Sequence, residues 1–317
     1  MRKAGRIVNR AAFRNIGQMS DLVRYAWFVL FFNVGVILLG ALVRATGSGA
    51  GCGESWPTCQ GQLLPELSGD TAVEFTHRAT SGVALILVLA LVVWVRRSVA
   101  RGQPARTGAA VSLIAVVGEA LIGAMIVLAA WVGDDDSVAR AVAVPLHLVN
   151  TLLLLAALTL TIFWLSGGGR LDLQRNRSTL RWVMVGGIAL VLIAATGAVT
   201  ALADTLFPKD GIGLDLEAGS HFLTRLRVIH PALAVLTAVV AWWKLGSNVR
   251  STEARAVVVL VGAMLVTGIV NVSLGVPVWM QLVHLALADA LWISYVLLAA
   301  RTLEAEPALA SGSLVTE

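Results

Sequence analysis

Apolar residues along this chain fall in long runs, and most charged residues fall between them. A helix needs roughly 20 apolar residues to cross a hydrocarbon layer about 30 Å thick. Eight such runs are present, near 24–43, 75–95, 109–131, 142–165, 180–203, 222–243, 255–276 and 278–300. Lipid offers backbone N–H and C=O groups no water to bond, so continuous runs of this length predict helices and not barrel strands. The expected fold class is an all-α polytopic membrane protein with eight transmembrane helices. The apolar run after Arg24 exceeds the roughly 7–15 residues of a signal-peptide core, which predicts an uncleaved first helix. After Arg301 the chain carries Glu304, Glu306, Pro307, Ser311, Gly312 and Ser313 without apolar periodicity, the pattern of a disordered tail over 302–317.

Composition agrees: 57% of residues are hydrophobic and 14% charged, against about a quarter charged in soluble domains. A net charge of +5 could suggest nucleic acid, but the basic residues are confined to alternate connections and report membrane orientation instead. Arg2, Lys3, Arg6, Arg10, Arg14 and Arg24 precede the first span. Arg96, Arg97, Arg101 and Arg106 follow the second, Arg170, Arg175, Arg177 and Arg181 follow the fourth, and Lys244, Arg250 and Arg255 follow the sixth. The opposite loops hold Glu54, Glu66, Asp70 and Glu74, then Asp134–Asp136, then Asp204, Asp210, Asp215 and Glu217. Both termini are therefore expected in the cytoplasm of a cell bounded by this plasma membrane.

Cutting the chain near Gly167–Arg177 leaves two halves that resemble each other. The second span opens with Glu74-Phe75-Thr76-His77-Arg78 and the sixth with Arg227-Val228-Ile229-His230-Pro231; the fourth carries His147 and the eighth His284, each followed by leucine. A weaker echo pairs Gly123-Ala124-Met125-Ile126-Val127 with Gly268-Ile269-Val270-Asn271-Val272. Four spans separate equivalent elements, an even number, so the halves are expected to be pseudo-symmetric about an axis along the membrane normal. The expected organisation is an arm at 1–23, a four-helix bundle at 24–166, a linker at 167–179, a second bundle at 180–301 and the tail.

Four of the five histidines thus occupy equivalent places near the outer ends of the even-numbered spans. Ionisable residues within spans are costly and face the bundle interior or a functional cavity. Two imidazoles from neighbouring helices suit a haem iron, which takes axial ligands on opposite sides of its plane. Zinc would want about four ligands on one point, whereas His77/His147 and His230/His284 belong to separate bundles. The candidate metal ligands are these four residues.

Glu74 lies one turn before His77 on the same face, either as an interfacial acid favoured by the helix dipole or as a catalytic group. The corresponding residue in the second half is Arg227, so the two pockets differ: a carboxylate suits a base or a developing cation, an arginine suits haem propionates. Arg44, Arg78, Arg225 and Arg227 stand on the side that the positive-inside rule leaves acidic, as candidate propionate contacts or as anchors and ion-pair partners. Cys52 and Cys59, with six residues between them in the first outer loop, are the chain's two cysteines. Their compartment permits a disulfide, structural or redox-active, and two free thiols are the alternative. His221 has no partner in the repeat and reads as a surface residue, Asp134–Asp136 as a solvated loop, and Trp56, Trp131, Trp242, Trp243 and Trp279 as interfacial belts.

Taken together these residues resemble the haem A synthase family. The resemblance covers the membrane region and rests on Gly40-Ala41-Leu42-Val43-Arg44-Ala45-Thr46-Gly47-Ser48-Gly49 leading into Cys52, Trp56-Pro57 and Cys59. It continues through Glu74 to Arg78, His147-Leu148, Arg227 to Pro231, Gly268 to Val272 with Pro277, and His284-Leu285. It implies an oxidoreductase that converts the C8 methyl of haem O to the formyl of haem A by successive hydroxylations and loss of water. By the same resemblance His77 and His147 belong to the substrate-haem site, His230 and His284 are axial ligands of a haem b cofactor, Glu74 is needed for turnover, and the paired loop cysteines are Cys52 and Cys59. The chain departs from members with a second cysteine pair between the fifth and sixth spans, since 204–221 contain none.

The partners implied are haem O, a haem O synthase, cytochrome oxidase assembly factors, membrane lipid, an unidentified electron acceptor and, as a candidate, a second copy of the chain; nucleic acid is not among them. The rival readings are a dihaem b-type electron-transfer cytochrome and a haem carrier.

Overall fold

The computed structural model describes residues 2–174, 177–207, 219–245 and 251–305, with the side chains of 2–18 left undescribed. The helices are α1 (Arg2–Ala45), α2 (Gly69–Ser98), α3 (Pro104–Leu128), α4 (Val138–Leu165), α5 (Arg177–Leu206), α6 (Phe222–Leu226), α7 (Ile229–Leu245), α8 (Thr252–Ser273) and α9 (Val278–Leu303). Among the described residues β pairing is confined to two isolated bridges, Cys59 with Gln62 and Leu171 with Glu304. Eight segments are long and apolar enough to cross a membrane, Phe222–Lys244 counting as one.

Local chemistry sets several boundaries. Pro104 opens α3, where a missing N–H costs nothing. Ser137 and Ser251 cap α4 and α8 by accepting from the N–H groups of Arg140 (3.2 Å) and Ala254 (3.0 Å). Helix α8 stops at Ser273, short of the expected 276, because Gly275 (φ 74°) and Val276 (φ 60°) turn the chain into Pro277, the cap of α9.

Three features differ from the sequence reading or sharpen it. The arm at 1–23 is helical from Arg2 and continuous with the first span. Residues 302 and 303 extend α9, and Glu304 accepts from the Gly169 N–H (2.5 Å), tying the linker to the end of the last span; the remainder of the expected tail, from 306, lies outside the described residues. The sixth span is not one helix: it breaks at Arg227-Val228 between α6 and α7. Pro231 has no N–H for the Arg227 carbonyl and its ring crowds that carbonyl, so a continuous helix cannot form there, and the Arg227 side chain is held by α5. Its Nε lies 3.1 Å from Asp204 Oδ1, and its Nη2 donates to the carbonyls of Ala203 and Phe207 at the end of α5.

Helices α1, α2, α3 and α4 pack in a ring, as do α5, α7, α8 and α9, and the two rings meet where α1 and α4 contact α5 and α9. Helix α4 is the most enclosed, with 61% of its most apolar window buried, because it serves both its own ring and the contact between rings. Leu22, Val29, Leu30, Leu91, Leu158 and Ile162 close the first ring at the end remote from the Cys52–Cys59 loop. Ala238, Val257, Val261 and Leu291 do the same in the second. In each ring the histidine-bearing helices stand diagonally, α2 opposite α4 and α7 opposite α9.

Arg44 fastens the two rings together. Its Nη1 donates to the Ala201 carbonyl (2.6 Å) and Thr205 Oγ1 (2.7 Å), and its Nη2 to Gln281 Oε1 (2.8 Å). Arg225, by contrast, donates to Ser220 Oγ at the surface. Arg44→Ala is expected to cost about 1.5–3 kcal/mol, as for loss of hydrogen bonds to a charged group, and Arg225→Ala less than about 0.5 kcal/mol. Denaturant unfolding in detergent measures both; equal effects would contradict the assigned role of Arg44.

Candidate functional site

All four repeated histidines stand at the Cys52–Cys59 end of the molecule. His230 opens α7 and His284 lies two turns into α9; their ring centroids are 6.4 Å apart with planes at 80°. His230 Nδ1 is 3.0 Å from the Ile193 carbonyl on α5. A carbonyl can only accept, so Nδ1 carries the proton and Nε2 keeps its lone pair. His284 Nδ1 is 3.0 Å from Thr267 Oγ1 on α8, and that hydroxyl already donates to the Ala263 carbonyl (2.9 Å), so it too accepts from the imidazole. Both rings therefore present Nε2 as a free donor of electrons, oriented by a partner on a neighbouring helix.

Helix α5 approaches His230 closely because residue 197 is glycine: a Cβ there would sit 2.9 Å from His230 Cε1. The first ring repeats the arrangement. A Cβ on Gly40 of α1 would sit 2.8 Å from His77 Cε1. Val36 stands four residues before Gly40, as Ile193 stands before Gly197, but among the described residues His77 Nδ1 makes no hydrogen bond. His77 is within electrostatic reach of His147 on α4 and of Glu119 on α3.

The residues fit a haem better than a bare ion. Two metal–imidazole bonds of about 2 Å each, with the distance from each Nε2 to its ring centre, account for a separation such as that between His230 and His284. Among the described residues no group of three or more His, Cys, Asp or Glu converges to hold an ion by itself. Paired imidazoles suit an iron whose other ligands come from a macrocycle.

Glu74, 3% exposed, is bonded on both oxygens. Its Oε2 accepts from the Cys52 N–H (2.7 Å) and its Oε1 from Arg78 through Nε (3.1 Å) and Nη2. Arg78 Nη1 also donates to the carbonyls of Ser55 and Thr58. Cys52 and Cys59 form a disulfide, and both are fully buried. The pair Glu74–Arg78 thus clamps the disulfide loop over the start of α2, one turn from His77.

The four arginines proposed for propionates are placed differently from one another. Arg78 serves the loop, Arg44 joins the rings, Arg227 is buried beside Asp204, and Arg225 is exposed. His221 is not a plain surface residue. It caps α6 through Nδ1, sits between Phe207 and Phe222 with centroids 4.7 and 4.6 Å away, and approaches Asp136 to 3.5 Å, so that acidic loop is docked and not merely solvated.

Two carboxylates within the spans, Glu119 half-buried and Asp289 buried, escaped the sequence reading. Glu119 on α3 receives Asn150 Nδ2 (2.6 Å) and Thr151 Oγ1 (3.1 Å) on Oε1, while its Oε2 is 2.9 Å from His147 Nδ1, close in distance though not aligned as a formed hydrogen bond. Asp289, 1% exposed on α9, leaves Oδ2 without a hydrogen bond. The signal was available, since any acid inside an apolar span is a functional candidate.

Fold and site define a helical membrane protein with two pairs of histidines at one end, each pair carried by diagonal helices. Residues 23–296 match the model of the cytochrome oxidase assembly protein family, COX15-CtaA, and the chain belongs to that family. A Thermus thermophilus protein named protoheme IX farnesyltransferase is 48% identical over 300 residues, 90% of this chain and 49% of its own length. The heme A synthase of Geobacillus kaustophilus is 41% identical over 132 residues, 40% of this chain and 39% of the relative. That of Lysinibacillus sphaericus is 33% identical over 187 residues, covering 56% and 58%. The chain spans about half the length of the curated relatives it matches.

Gly197→Ala is expected to push His230 aside and weaken retention of added protohaem on the order of 10-fold, the scale of disturbed metal-ligand support. Gly268→Ala, whose Cβ would meet His284 at an ordinary 3.5 Å, should leave retention unchanged. Protohaem titration followed by absorbance separates the two.

Proposed function

We propose that this chain is a haem A synthase that oxidises the C8 methyl of haem O to the formyl of haem A. The observation that carries the reading is the His230/His284 pair, with each Nδ1 bonded to a neighbouring helix and the ring centroids 6.4 Å apart. The family and the heme A synthase relatives support it. The farnesyltransferase name belongs to a protein about twice as long, of which this chain matches 49%; prenylation of protohaem is also chemistry that a supplier of farnesylated haem would perform.

In this reading the halves are pseudo-symmetric four-helix bundles, 24–166 for the substrate haem and 180–301 for the cofactor. The termini are cytoplasmic, and the clefts face the outer side of the plasma membrane. His230 and His284 hold haem b, which supplies one-electron redox chemistry when bound. His77 and His147 hold haem O. Glu74, one turn from His77, would give up its bond to Arg78 or Cys52 to take the proton released as a C–H bond of the reacting carbon breaks, the oxygen atom coming from a donor outside the protein and the electrons leaving to an acceptor, while the disulfide loop lies over that end of the site. The electron acceptor is a separate partner.

The test is to produce the chain with a haem O source, extract the haems with acid acetone and identify them by mass. Hydroxylated and formylated haem is expected; haem O alone, on a full-length chain with both clefts loaded, would make it an electron-transfer cytochrome. Glu74→Gln keeps an acceptor for the Cys52 N–H but removes the base. It should slow conversion by roughly 10²–10⁴ and leave the haem at His230 and His284 in place. Conversion at the wild-type rate would remove Glu74 from the chemistry.

A further inference from the structure

The four histidines are alike in position but not in what holds them. Ile193 offers His230 a neutral carbonyl, Thr267 offers His284 a neutral hydroxyl, and His77 has the Val36 backbone nearby. Among the described residues, His147 is the one of the four within ion-pair distance of a carboxylate, Glu119 Oε2 at 2.9 Å. That carboxylate is aimed. Asn150, one turn beyond His147 on α4, donates from Nδ2 to Oε1, and Thr151 adds a second bond to the same oxygen, so Oε2 is left for the imidazole. Asn150 is itself fixed by donating to the Ala115 carbonyl (2.9 Å), and Gly118 leaves it room, since a Cβ there would meet Asn150 Oδ1 at 3.0 Å. The repeat offers no second copy of this device: aligning Gly123 with Gly268 puts Met264 where Glu119 stands.

We propose that Glu119 is a positioning residue for His147, its carboxylate holding the ring with Nε2 toward the first cleft and making it a stronger electron donor than the other three histidines. A carboxylate on the far nitrogen raises ligand basicity. Second-shell hydrogen bonding of this kind is one of the levers by which proteins set a haem potential. A more basic imidazole favours the ferric iron, so the haem in the first cleft is held at lower potential than a neutral partner would give. The two clefts are thereby made electronically unlike by residues 119, 150 and 151. The inference rests on the reading of the first cleft as a haem site.

The experiment is a spectroelectrochemical titration of the full chain loaded with protohaem in both clefts. The component that disappears in His147→Ala is assigned to the first cleft. Glu119→Gln should move that component to higher potential and leave the His230/His284 component where it was. Glu119→Asp keeps the charge but shortens its reach, so it should give a smaller shift in the same direction, and it serves should the Gln variant lose its fold. Unchanged potentials in a variant that retains both components would overturn the role of Glu119. So would equal shifts of both components, the mark of a general structural disturbance. If the wild type shows no component that His147→Ala removes, the haem reading of the first cleft fails and takes this inference with it, an outcome distinct from an unmoved potential.

Discussion

A polar ring inside a bilayer has to find its partner within the protein, because the alternative is an unsatisfied donor in hydrocarbon. That constraint organises the Cys52–Cys59 end of this molecule. Each histidine of the second ring spends Nδ1 on a neighbouring helix, and the choice of partner fixes which nitrogen is left over. The bond from His230 to Ile193 needs α5 and α7 in close contact, which Gly197 permits; the sixth span breaks just before His230, where Pro231 leaves the Arg227 carbonyl without a partner N–H and the Arg227 side chain pairs with Asp204. Close packing through small residues is the ordinary way membrane helices meet. Here it also aims a ligand.

The remote ends of both rings are filled with Leu, Val and Ala, so nothing there can receive a planar group. The histidine ends differ because diagonal helices carry the imidazoles and leave the centre between them. Around that centre the chain places unlike polar partners: a loop clamped by Glu74 and Arg78 and a carboxylate behind His147 in the first ring, and neutral acceptors in the second. One architecture thus offers two chemically distinct environments.

Much of this was legible in the sequence. Eight apolar runs gave the spans, and Pro104 lies where a helix start tolerates proline. The histidines announced themselves by recurring at matched places. The break at Arg227-Val228 has its signal in Pro231, which offers no N–H to the Arg227 carbonyl and crowds it; the contacts of the Arg227 side chain with Asp204 and the α5 carbonyls, made across helices, were not legible. His221 looked solitary because its partners, Asp136 and Phe207, are distant in sequence or on another element. Glu119 was visible as an acid in an apolar run and passed over because it does not recur in the other half. A search guided by repetition finds what the halves share and misses what distinguishes them.

The central claim is that one chain holds a haem between His230 and His284 with an imidazole on each face. Electron paramagnetic resonance of the oxidised, protohaem-loaded protein tests it most directly, because the spin state of ferric iron reports whether both axial positions carry strong nitrogen ligands. With ring planes 80° apart, the account predicts a strongly anisotropic low-spin signal that is lost in both His230→Ala and His284→Ala. A wild type without that component, or the same component surviving both substitutions in a chain whose first pair has been removed by His147→Ala, would contradict it.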